Sequence, residues 1–318
     1  MRDEATGVVN AVNETIAIGE QGGVPTHVSH HKVIGKVNWG KSLDTLRLID
    51  AARQRGVDVT MDVYPYSAGS TTVQSGLLPA WAMEGGVREA KERLKDLATR
   101  SKVKEATSQI LQTNFNGDPQ NVVIVTCDWD TSLAGKNLGE VTRARGLDPV
   151  LENAAETVLW LVENGGCRSV HHNQGEEDLR RILAHPATMI ASDGEVAIFG
   201  RNAIHPRSYG TFARVLAVYV REKGVITLEE AVRKMSSFPA ARLGLSDRGV
   251  LRPGMKADIA VFDPARVRDM ATYEKPHQYA EGFAYVIVNG QIAYENGGMT
   301  AARPGKVLYG PGKSAAVQ

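Results

Sequence analysis

The stretch from Ala187 to Thr211, ATMIASDGEVAIFGRNAIHPRSYGT, gathers the side chains of this chain best suited to chemistry. Its apolar start, Thr188 to Ala191, predicts a buried strand that delivers Ser192-Asp193-Gly194 at its C-terminal end. A carboxylate just past a strand, beside a glycine that lets a ligand come close, is placed for proton transfer. Asp193 is therefore a candidate general base, the plainer alternative being that it caps the next turn. Downstream, His205, Arg207 and Tyr209 suit an anionic substrate, and the Arg207 guanidinium can take a carboxylate bidentately.

The eight histidines are His27, His30, His31, His171, His172, His185, His205 and His277. Neutral imidazole is the commonest ligand for zinc-like ions, and carboxylate oxygen complements it. The alternation of VPTHVSHHK puts Val24, Thr26, Val28 and His30 on one face of a strand closing on His30. His30 and Asp193, each at a strand end, are a candidate metal pair. A hydrogen-bonded structural role is the alternative for His30 and the expectation for His27 and His31. His171 and His172 close another strand, with two alternatives: one faces a pocket, or both are structural. Lys32 offers a carboxylate a point charge. In DVYPY, Tyr64 and Tyr66 share a face, either as packing aromatics or as phenol donors to a polarised oxygen. The chain has no GxSxG elbow, P-loop or GxGxxG, and Cys127 has no histidine near it in sequence.

The elements that must hold these groups follow one rhythm. Glu4 to Gly19 and Leu43 to Arg55 carry helical apolar stripes, while VPTHVSHHK and VDVTMDVYPY read as strands. Such alternation, joined by short glycine-containing turns, indicates βα units around a parallel sheet. The rhythm breaks at about 77–120, which reads as an inserted lid or subdomain. NVVIVTCDW, CRSVHH and ATMIASDG then restore strands, with helices between and after them. From about residue 246 the pattern becomes a small β region, with VNGQ as a hairpin turn. The expected division is a partial barrel over 1–245 and a β unit over 246–318, with GKSAAVQ frayed at the end.

Composition bounds the rest. With 42% apolar and 23% charged residues in 318, the chain can bury a sizeable core. A net charge of +1 gives no reason to expect nucleic acid or an acidic membrane. No apolar run long enough to span a bilayer occurs, and the charged start MRDEATGVVNAV does not read as a secretory leader. Cys127 and Cys167 form no CxxC and suggest no disulfide framework, which suits a reducing, cytoplasmic setting.

Several segments together resemble the N-acyl-D-amino-acid deacylases (D-aminoacylases) of the amidohydrolase superfamily. They include MRDE, SHHK, DVYPYSAGST, LLPAWAMEGG, HPATMIASDGE, HPRSYGTFARVLAVYVRE and DRGVLRPGMKADIAVFDP. The resemblance implies an α/β fold, the C-terminal part of a (β/α)8 TIM-type barrel with an inserted lid and part of a small β-sandwich. It implies Zn2+-assisted hydrolysis of an N-acyl-D-amino acid, with His30 a metal ligand and Asp193 both general base and second-metal ligand. Arg207, His205, Tyr64 and Lys32 would contact the substrate. The family's HxH pair and metal-binding cysteine lie upstream of its MRDE segment, so the chain is expected to be N-terminally truncated. Four or five βα units are countable here, against eight in a closed barrel. Self-association, or a missing N-terminal half, would then cover the open edges. A cyclic amidase of dihydroorotase or hydantoinase type, and a non-catalytic fragment, are the alternatives.

Overall fold

The structure is a computed structural model that describes residues 1–201 and 203–309; the expected frayed tail, GKSAAVQ, lies outside them. The chain opens with α1 (Val8–Gly22), which buries Val8, Ala11, Val12 and Ile16 along the expected stripe. It continues through β1 (Thr26–Val28), α2 (Ser42–Gln54) and β2 (Val59–Val63). A second region holds β3 (Gly69–Thr72), α3 (Val73–Leu77), α4 (Val87–Arg93), α5 (Leu97–Asn114) and β4 (Val122–Thr126), then α6 (Leu138–Ala144), α7 (Leu151–Glu163) and β5 (Arg168–His171). The chain returns through α8 (Glu176–Ala184) and β6 (Thr188–Ile190). Then come α9 (Arg207–Arg214), continued by a π-helical stretch Val215–Glu222, α10 (Leu228–Met235) and α11 (Ser237–Arg242). The last described strands are β7 (Ile259–Phe262), β8 (Phe283–Val288), β9 (Gln291–Glu295) and β10 (Gly298–Met299).

β1, β2 and β6 form one parallel sheet in that order. This is the βα framework expected from the sequence, but with three parallel strands among the described residues rather than four or five βα units. The difference lies in β4 and β5, which pair antiparallel with each other, β5 also pairing with β3, a strand the sequence reading did not identify. Short strands of like composition give no periodic signal of direction; the partner across the ladder decides it. Val12, Ile49, Met61, Ile182 and Tyr219 belong to the core beneath the parallel sheet. A separate core of Val73, Leu111, Ile124, Leu138 and Leu159 joins α3, α5, α6 and α7 to β4. The segment expected as a lid, about 77–120, is mostly helical and contributes to this second core.

The two cysteines require a correction. Cys127, after β4, is bonded to Cys167, before β5. They are 40 residues apart in sequence, so spacing gave no hint, and antiparallel pairing of β4 with β5 brings them together. The cysteine argument for a reducing compartment falls with that bond.

β7 to β10 form a four-stranded antiparallel sheet, with a β8–β9 hairpin turning at Asn289 and Gly290, both at positive φ as a two-residue turn of this hand requires. Lys306 to Tyr309, expected to be β-rich, carries no strand. The start of β6 is pinned by the fully buried Lys234, whose ammonium donates to the carbonyls of Thr188 (2.9 Å) and His185. Among the described residues, no helix is long and apolar enough to cross a membrane.

Candidate active site

The backbone itself marks two of the expected residues. His30 (φ 41°) and Asp193 (φ 48°) lie in the left-handed region, and the other non-glycine residues found there are Asn116, Asn289 and Asn296. Histidine and aspartate, like asparagine, are the non-glycine residues that reach this conformation most often, and the conformation costs about 1–3 kcal/mol where the surroundings impose it. β1 stops at Val28, so His30 sits in the turn beyond the strand rather than closing it.

That turn and the loop after β6 open onto one cavity of about 830 Å³. His30, Lys32, Tyr64, Asp193 and Arg207 all line it. His205 does not: its Nδ1 accepts from the Arg207 backbone N–H (3.0 Å), and its Nε2 therefore carries the proton donated to the Ala68 carbonyl (3.0 Å). Burial, reinforced by the Arg207 charge, pushes His205 down to about 3, so the ring is neutral and supports the start of α9.

The charges in the cavity come in pairs. Arg207, only 6% exposed, reaches Asp193 Oδ2 through Nη1 at 2.9 Å and lies 4.7 Å above the Tyr64 ring. Lys32 Nζ donates to Glu4 Oε1 (2.6 Å) and stands 2.7 Å from His30 Nδ1. Burial works to raise the Glu4 carboxyl, but hydrogen bonding to His30 and the Lys32 charge outweigh it and hold the group at about 2. Arg168, at the start of β5, pairs with Glu195 at the rim. Tyr64 is buried between the Lys32 and Arg207 cations, and its hydroxyl accepts from Gln174 Nε2 (2.8 Å). Tyr66 instead donates to Asp269 (2.8 Å), away from this lining.

His171, expected either to meet a pocket or to be structural, lines the cavity with Nε2 2.7 Å from Ser169 Oγ. Burial pushes it down to about 4. Gly76 makes room for it, since a methyl there would lie 2.2 Å from His171 Cε1. His172 faces Tyr273 instead, with ring centroids 4.7 Å apart. His31 is buried with Nε2 2.9 Å from Thr45 Oγ1, and His27 bonds to Thr60 and Asp62. Glu4, Asp62, Arg168 and Gln174 lie outside the site expected from the sequence. Of these, Glu4 lies in the MRDE segment and Asp62 in DVYPYSAGST, both parts of the family resemblance.

Chemically, the cavity offers Lys32 and Arg207, with Arg2 and Arg168 also on its lining, to an anionic ligand, together with a partly exposed carboxylate (Asp193, 37%) and a buried phenol. The donors expected toward zinc are His30, whose Nε2 makes no hydrogen bond among the described residues, and the Asp193 oxygen that does not face Arg207. A catalytic zinc takes three protein ligands and a water. Among the described residues, no group of three or more His, Cys, Asp or Glu could hold a metal ion. The two donors expected from the sequence share the lining, and no complete ligand set is found among the described residues.

Comparison with known proteins gives a consistent picture. The amidohydrolase family pattern matches residues 11–294. The chain is 38% identical over 308 residues to the D-aminoacylase of Alcaligenes xylosoxydans xylosoxydans, covering 97% of this chain and 53% of that protein. A solved D-aminoacylase with a binuclear metal centre superposes with a TM-score of 0.76 at 36% identity, covering 97% and 54% of the two chains. The N-acyl-D-glutamate deacylase of Bordetella bronchiseptica, solved with zinc and a phosphonate mimic of the tetrahedral intermediate, gives 0.75 at 34%, again covering 97% and 54%. The chain thus spans about half the length of the relatives it matches.

Proposed function

The chain belongs to the amidohydrolase family, and on that premise we propose that it hydrolyses the linear amide bond of N-acyl-D-amino acids, giving a carboxylate and a free D-amino acid. The observation that carries the reading is the convergence of His30, Lys32, Tyr64, Asp193 and Arg207 on one cavity. Arg207 and Lys32 bind and orient the substrate α-carboxylate, each exchanging part of its present ion pair for the incoming anion. Release of Arg207 from Asp193 frees the Asp193 carboxylate to take a proton from the attacking water and return it to the leaving amine. The Tyr64 hydroxyl, accepting from Gln174, has its own proton to offer the carbonyl oxygen. His205 acts through Arg207 rather than on substrate.

Zinc belongs to this reading as an ion to which His30 and Asp193 contribute, with the remaining ligands drawn from outside the described residues. Completion by a second copy or by another polypeptide is part of the same proposal, as is the descent of the parallel sheet from a TIM-type barrel with a lid. A small acylated D-amino acid, not nucleic acid or membrane, is the ligand. A cytoplasmic site would oppose the Cys127–Cys167 bond, and a thiol titration of freshly isolated protein separates the two. The enzymatic reading is tested by supplying zinc and offering N-acetyl-D-methionine beside hydantoin. Release of D-methionine with the hydantoin ring left closed supports it, and ring opening or no release overturns it.

A further inference from the structure

The left-handed turn at His30 is bonded to a single residue of β2. The Asp62 carboxylate accepts the His30 backbone N–H at Oδ1 (2.6 Å), and the Asp62 carbonyl accepts the next N–H, that of His31 (2.8 Å). The other carboxylate oxygen lies 2.7 Å from His27 Nε2, and His27 Nδ1 lies 2.7 Å from Thr60 Oγ1. Register makes this arrangement possible: β1 pairs with β2 so that His27 stands opposite Thr60, and Asp62 follows two residues along β2. The carboxylate is 15% exposed, so these bonds are little diluted by water.

We propose that Asp62 is a positioning residue for His30, fixed in turn by His27 and Thr60. The chain of contacts runs from the β2 hydroxyl through an imidazole to the carboxylate that fixes the turn. A non-glycine residue in this conformation persists only where its surroundings over-determine it, and here two successive backbone N–H groups end on one residue. Asparagine at 62 can keep the arrangement. Its Oδ1 still accepts from His30, and its Nδ2–H donates to His27 Nε2 once the His27 proton moves to Nδ1 and is donated to Thr60 Oγ1. Alanine removes both contacts.

The inference rests on the reading of His30 as a site residue, and the experiment separates the two. The histidine Cε1–Hε1 signals of the full chain are followed by NMR at pH 7, with His30 assigned through His30→Gln, beside equilibrium binding of N-acetyl-D-methionine. In Asp62→Ala the His30 signal is expected to shift and broaden while those of His171 and His205 stay in place, and binding is expected to weaken at least tenfold. Asp62→Asn restores the His30 signal and brings binding within about threefold of the wild type. An unmoved His30 signal in Asp62→Ala, or an Asn variant as impaired as the Ala variant, overturns the positioning role. If Asp62→Ala loses its cooperative melt, Thr60→Val carries the test, with a smaller shift of the His30 signal in the same direction supporting the relay and none overturning it. A wild-type chain that binds no ligand, but whose His30 signal follows this pattern, supports the positioning and refutes the functional reading.

Discussion

Replacing both Cys127 and Cys167 by alanine removes a cross-link whose contribution can be worked out from chain length. The bond closes a loop of 40 residues that contains α6 and α7. Constraint of a loop this long raises the free energy of the unfolded ensemble by about 4 kcal/mol at 25 °C. The double variant should therefore lose about that much stability in urea. The loss should appear in the region around the second core, which includes both cysteines. Trp129 reports there directly, since its indole N–H donates to the Gly166 carbonyl (3.0 Å) and its ring meets Trp160 edge-on at 5.1 Å. Tryptophan fluorescence should show the loss in the double variant and, equally, in the reduced wild type. Stability unchanged to within about 1 kcal/mol, or two thiols titrating in unfolded, unreduced protein, would refute the reasoning.

Other outcomes are expected from the same geometry. Gly76→Ala sets a methyl 2.2 Å from His171 Cε1; overpacking of this kind costs about 1–3 kcal/mol, read as a lower urea midpoint, and the displaced imidazole should weaken binding of N-acetyl-D-methionine. Acid should destabilise the fold through its buried imidazoles, since burial pushes His31 to about 3, His171 to about 4 and His205 to about 3. Above pH 6.5 their contribution is fully present; as pH falls from there toward 4 the unfolded chain takes up protons that the folded one refuses, and the urea midpoint should drop steadily across that window. Arg207→Lys gives up the planar fork that now reaches Asp193 and stacks over Tyr64; affinity for N-acetyl-D-methionine, measured by calorimetry, should fall about tenfold or more.

The framework of the fold could be read from the chain because its signals are local. The stripe of α1, the α2 helix and the turn at Asn289-Gly290 each depend on residues a few positions apart. What escaped was settled by partners distant in sequence. β3, in SAGSTT, has no apolar alternation and is a strand because β5 lies beside it. Cys127 meets Cys167 only through the pairing of β4 with β5. The same holds in the cavity. Asp193, Arg207, Tyr64, Lys32 and His30 stood out by residue type and by their places at element ends, and they share a lining. His205 has the right chemistry, but the turn before α9 uses both of its nitrogens internally. Asp62 opens the DVYPYSAGST segment, but its role is not legible there, because its partner is a backbone N–H contributed from a neighbouring strand's turn.

The most direct measurement is amine release from N-acetyl-D-methionine and from its L enantiomer by the zinc-supplemented protein, repeated with Asp193→Asn. Release from the D substrate, at least tenfold slower from the L form and abolished in the variant, is the expected result. Equal rates for the two enantiomers, or a variant as active as the wild type, would contradict the assignment of this cavity as a D-selective deacylase site with Asp193 as its base.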